Sequence, residues 1–111
     1  MSGIFIGNFY HDLPQKTFDK NGNRQIISYY CFGPIEIFVY GINYKNEYYF
    51  EHTYSLSFGD YELKTYKKII TKEEVIKAID EEIKLCENHK AYDISNELKI
   101  EKEIIENNLG E

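Results

Sequence analysis

Residues 47–58 read Glu47-Tyr48-Tyr49-Phe50-Glu51-His52-Thr53-Tyr54-Ser55-Leu56-Ser57-Phe58. Tyr48, Phe50, His52, Tyr54, Leu56 and Phe58 are large and mostly apolar, and the residues between them are mostly polar. Strand side chains point to alternate faces, so this period of two predicts a long strand with one buried face and one wetter face. We place it at the centre of an antiparallel sheet and work outward.

Upstream, residues 4–10 read as a first strand weakened by Gly3 and Gly7, and Pro14 marks a break after it. Residues 16–20 read as a short strand entering a turn at Asn21-Gly22, where both residues tolerate positive φ. Residues 24–32 and 35–42 follow as strands around Gly33-Pro34, and 43–46 form the loop before the central strand. Downstream, Gly59-Asp60 reads as a two-residue hairpin loop and 61–70 as the last strand.

Counting back from these loops sets a register. It puts Ile35, Ile37, Val39, Leu63 and Ile69 on the face of Phe50, His52 and Tyr54, which becomes the expected buried face. Phe38, Tyr40, Tyr49, Glu51 and Tyr66 fall together on the other face, with Lys68 opposite Glu51.

Thr71-Lys72-Glu73-Glu74 has the form of a capping box, and Ile70 with Val75 that of a hydrophobic staple. They open a helix over 72–88 whose stripe is Val75, Ile76, Ile79, Ile83 and Cys86. A second helix over 94–108, capped by Asp93 or Ser95, turns Ile94, Leu98, Ile105 and Leu109 inward and stops at Gly110. Ile100 and Ile104 form a second stripe that either packs on the first helix or remains for a partner. The expected fold is α+β: an antiparallel meander of four to six strands followed by two C-terminal helices packed on one sheet face. The 111 residues suit a single domain, with the sheet in 1–70 and an acidic helical segment in 71–111.

Composition narrows the function. With 42% hydrophobic and 16% aromatic residues the chain reads as globular. No signal peptide or apolar run long enough to span a membrane is expected. Cys31 and Cys86, the two cysteines, read as reduced thiols of a cytoplasmic protein. Residues 1–70 carry seven Lys/Arg and seven Asp/Glu, whereas 71–111 carry six Lys and twelve Asp/Glu. The whole excess of −6 therefore sits on the helical segment. That argues against direct nucleic-acid binding and suits a protein partner with a basic surface.

Chemistry is sparse in the motifs. Cys86 and His89 have the spacing of half a zinc site, but two further ligands are not supplied nearby and Cys86 belongs to the helix stripe. No metal or cofactor is expected. His52 reads as a hydrogen-bonded core histidine, and His11-Asp12 lies in an expected loop. Together His11 and His52 could serve a small metal-independent ribonuclease only if both reached one substrate. Two surfaces remain as candidate partner-binding sites. One is the aromatic face of Phe38, Tyr40, Tyr49, Glu51 and Tyr66. The other is the acidic surface of Glu73, Glu74, Asp80, Glu81, Glu87, Glu103 and Glu106. The expectation is a non-enzymatic protein that neutralises another protein, as immunity proteins cap toxins and phage inhibitors block nucleases. A homodimer joined through Ile100 and Ile104, or through the tyrosine face, is the structural alternative.

Overall fold

The computed structural model describes residues 3–57 and 60–107. Six strands form one antiparallel sheet in sequence order: β1 (Ile4–Ile6), β2 (Phe9–His11), β3 (Asn23–Phe32), β4 (Ile35–Asn43), β5 (Tyr48–Ser57) and β6 (Asp60–Ile70). Two helices follow, α1 (Lys72–Asn88) and α2 (Tyr92–Asn107). The α+β meander with two C-terminal helices is the architecture expected from the sequence.

The N-terminal region differs from the expectation. In place of one strand over 4–10 there is a hairpin, with Ile6 opposite Phe9 and Gly7 at φ +63° in its two-residue turn. A type II′ turn puts positive φ at its first central residue, which suits glycine. Residues 16–20 form no strand. Backbone bonds from Asp12 to Ser28, Gln15 to Gln25 and Asp19 to Asn23 lay this segment along the edge of β3 without a continuous ladder.

Both registers beside β5 are one residue from the expected ones. Asn43 closes on Glu47, leaving a three-residue loop with Asn46 at φ +66°. Asn43 Oδ1 accepts from the backbone N–H groups of Lys45 and Glu47 and fixes that loop. At the other hairpin Ser57 pairs with Asp60, and a bulge between Ser55 and Ser57 then shifts the ladder. Phe58, the expected end of the central strand, and Gly59 of the expected Gly59-Asp60 loop lie outside the described residues, and Asp60 begins β6. A one-residue slip turns a whole strand over. Phe38 therefore faces His52 and Tyr66, and Tyr40 faces Phe50 and Lys68, while Glu51 lies opposite Val39 and Lys67. Ile69 and Leu63, expected in the core, are exposed.

A further bulge at Ile26 lets both Ile26 and Ile27 enter the core. The helices seal one end of the sheet face, where Ile27, Ile42 and Ile70 meet Val75, Ile79, Ile94, Leu98 and Ile105. The capping box at Thr71–Glu74 forms as read. The chain leaves α1 through Lys90 at φ +62°, with the Ala91 N–H on the Cys86 carbonyl. α2 begins two residues earlier than expected, and Leu109 and Gly110 lie outside the described residues. Ion pairs Asp80–Lys102 at 2.7 Å and Glu87–Lys99 at 2.6 Å tie α1 to α2. No described helix is long and apolar enough to cross a membrane.

Candidate functional site: an aromatic groove beside helix α1

The corrected registers place rings from four neighbouring strands in a row. His11 on β2 stacks on Tyr29 on β3 at 4.9 Å, and Tyr29 stacks on Phe38 on β4 at 5.0 Å. Phe38 stacks on His52 on β5 at 4.2 Å between ring centroids. Residues directly opposite across antiparallel strands come close enough for such stacking. Each end of the row carries a glutamate. His52 Nε2 lies 3.2 Å from Glu36 Oε2, and His11 Nδ1 lies 2.6 Å from Glu82 Oε2.

His11 lies in β2, not in a loop, and it and Glu82 are only 4% and 6% exposed. Buried charges persist in proteins when paired and hydrogen-bonded, and here an α1 carboxylate meets a β2 imidazole. The Cys86 thiol also donates to Glu82, at 3.8 Å. Burial, with the Glu82 charge second, pushes that thiol up to about 12. His11 and His52 share a face but stand three strand spacings apart, about 14 Å. Tyr29 and Phe38 fill the interval, so the two imidazoles do not meet at one reacting centre.

Along the edge of α1 runs a groove made of two adjoining cavities of about 330 and 380 Å³. They share Tyr40, Ala78 and Glu81. The first continues over Phe9, Tyr29, His11 and Glu82. The second continues over Phe50, Tyr66, Lys68, Glu74 and Lys77. Glu74, Ala78, Glu81 and Leu85 recur at helical spacing, which puts them on one side of α1 as the groove wall. Burial pushes the Tyr29 hydroxyl up to about 12, helped by Tyr40, Glu82, Glu81 and Glu36. Burial likewise raises Tyr40, with Glu81 and Glu74 adding to it. Glu74 is held below the usual carboxylate range by hydrogen bonds from the backbone and side chain of Thr71.

The sequence-derived candidates are redistributed. Tyr40, Tyr66, Glu74 and Glu81, assigned to separate aromatic and acidic surfaces, line the same groove. Phe38 lies on the same sheet face, stacked on His52. Tyr49 and Glu51 lie on the opposite face, so the expected aromatic patch is divided between the two sides. Tyr49 is buried against Gly41, where an added Cβ would come within 2.6 Å of the Tyr49 hydroxyl. Lys67 Nζ sits 4.5 Å from the Tyr49 ring centroid. Gly41, read as backbone punctuation, is thus the bed for this ring.

Asp80 and Glu87 face α2 in ion pairs, and Glu73, Glu103 and Glu106 are exposed. Glu73 and Glu106 line a shallow depression of about 550 Å³ away from the groove. Sequence reasoning missed His11–Glu82, Tyr29, Glu36 and Lys77 as lining or supporting groups. One signal was available: Glu82 stands in the inward series Val75, Ile79, Glu82, Cys86, where a carboxylate requires a partner. Among the described residues no cluster of three or more His, Cys, Asp or Glu could hold a metal, and Cys31 and Cys86 are free thiols. Compared with protein-family models, curated proteins and solved structures, the chain matches none.

Proposed function

We propose that this chain is a protein-binding inhibitor of the cytoplasm that neutralises a partner with a basic surface. It would act as an immunity protein acts on a toxin, or a phage-encoded inhibitor on a nuclease. The observation that carries the reading is the joint lining of one groove by Tyr40, Tyr66, Glu74 and Glu81. Large rings that lose little rotamer freedom supply contact area, and carboxylates on the rim steer a basic surface and fix its orientation. Tyr66 is 53% exposed at the outer lip, available to be covered by a partner.

Affinity capture from the source cell, run in parallel with wild type and a Tyr66→Ser/Glu81→Lys variant, tests the reading. It expects a basic protein retained by wild type, lost from the variant, and inhibited in its own activity when the complex forms. Retention by both baits, or no effect on the captured protein's activity, would reject it.

A second reading has its own observation. Ile100 and Ile104 on α2 are 52% and 57% exposed, an apolar pair left uncovered by α1. It assigns α2 to a contact between two copies. Light scattering of wild type beside Ile100→Ser/Ile104→Ser decides it: a dimer that the variant dissolves supports the contact, and a monomer removes it.

A further inference from the structure

The first cavity of the groove combines a small apolar volume with an excess of acceptors. Its volume, about 330 Å³, lies at the low end for ligand sites and suits one amino-acid side chain better than a nucleotide. Ile6, Ile27 and Leu85 give it an apolar lining, and Tyr29, Tyr40, Glu81 and Glu82 bring oxygen atoms to it. Glu82 gives one oxygen to His11 and keeps the other. Glu81 has no ion-pair partner among the described residues, and neither do the Tyr29 and Tyr40 hydroxyls have a hydrogen-bond partner there. None of these oxygens is a buried atom lacking a partner, so each reaches the cavity or solvent.

We infer that this cavity is a guanidinium site that seats an arginine side chain of the partner, its stem against Ile6, Ile27 and Leu85 and its head between Glu81, Glu82, Tyr29 and Tyr40. The inference rests on the protein-neutralising reading and names the group that reading leaves unspecified. A guanidinium carries five N–H donors in a planar fork, and the site offers a comparable number of acceptors, including a carboxylate that can take two. A lysine ammonium has three donors and would leave more of these oxygens unmatched. Burial raises the Tyr29 and Tyr40 hydroxyls first, and Glu81, with Glu82 at Tyr29 and Glu74 at Tyr40, adds to it; a negative field that disfavours a phenolate at this spot is one that favours a cation. Arginine is also enriched among the residues that dominate interface energies, where it fills pockets of this kind.

The test uses the folded chain and small probes. N-acetyl-arginine methylamide, N-acetyl-lysine methylamide and the neutral N-acetyl-citrulline methylamide are titrated while backbone amide shifts are followed by NMR. The expected result is saturable binding of the arginine probe with shifts at Tyr40, Ala78 and Leu85. Citrulline should bind at least tenfold more weakly and lysine more weakly than arginine. Glu81→Gln, an exposed substitution that leaves the core untouched, should weaken the arginine probe severalfold, and Tyr40→Phe should weaken it less. Equal binding of arginine and citrulline, shifts confined to Glu103 and Glu106, or insensitivity to Glu81→Gln would overturn the assignment. The two proposals separate cleanly. Arginine-probe binding without a partner lost in the Tyr66→Ser/Glu81→Lys capture keeps the site and rejects the neutralising role. A basic partner held in the groove with no response to Glu81→Gln rejects the site alone.

Discussion

One face of the sheet is built in two ways along the same strands. Toward the 43–47 hairpin it offers Ile27, Ile42 and Ile70, and the two helices close over them with Val75, Ile79, Ile94 and Leu98. Beyond α1 the same strands offer Phe38, His52 and Tyr66, outside the buried core cluster. Aliphatic side chains lose nothing by complete removal from water. Rings with a hydroxyl or imidazole can keep one polar end solvated while the other packs. The closed end carries the buried core, and the recognition we propose falls at the open end.

The largest expected effect lies at the closed end. Ile79→Ala should cost about 2–5 kcal/mol in urea denaturation, because Ile79 is fully buried and the cavity cannot be filled by solvent. An equal loss from an open-end substitution would break the contrast.

Next come the two glutamates that sit in inward helix stripes. Glu101 on α2 holds Arg24 through two hydrogen bonds of 2.9 and 3.0 Å, and Glu82 on α1 holds His11. Glu101→Ala should cost about 3 kcal/mol, since Arg24 cannot shed its proton and is left as an unpaired, mostly buried charge. Glu82→Ala should cost less, because an imidazole can become neutral. Denaturation of the two variants side by side checks the order, and the reverse order would show that His11 depends on Glu82 for more than charge.

Alkaline titration probes burial at three separate places: Cys86 at the closed end, Tyr29 in the aromatic row and Tyr49 on the opposite sheet face. Cys86, Tyr29 and Tyr49 all stand near 12 in the folded chain, against ordinary values of 9.0 for the thiol and 10.0 for the phenols. Above those ordinary values the unfolded chain releases protons that the folded chain retains, so stability must fall as pH rises. Thermal melts should be level up to about pH 9 and then decline toward pH 12. Cys86→Ala should remove the earliest part of that decline. A melt that stays level to pH 12 would contradict the burial of these groups.

The smallest effect belongs to the open lip. Tyr66→Ser should change stability by no more than about 0.5 kcal/mol while still weakening partner binding. Denaturation and capture on the same preparation would expose any larger structural role for Tyr66.

Local signals explain how much of this could be read in advance. α1 was legible to its ends because Thr71 and Glu74 form a capping box and Val75, Ile79 and Cys86 keep helical spacing. The meander was legible from strand alternation. The faces of β4 and β6 were not, since the Asn46 conformation and the bulge after Ser55 each shift the count by one. Those shifts divided the expected aromatic patch and carried Tyr40 and Tyr66 to the side where α1 brings Glu74 and Glu81. Gly7-Asn8 is a hairpin signal in its own right, but the strands on either side of it are three residues each, too short to show a period of two separately. The His11–Glu82 pair spans 71 residues, and only the carboxylate's place in an apolar stripe hinted at it.

The most direct measurement is the affinity of the captured basic partner for three versions of this chain: wild type, Tyr66→Ser/Glu81→Lys and Ile100→Ser/Ile104→Ser. The account predicts that the groove variant loses at least tenfold in affinity while the α2 variant binds as wild type does. Loss confined to the α2 variant, with the groove variant unaffected, would contradict it.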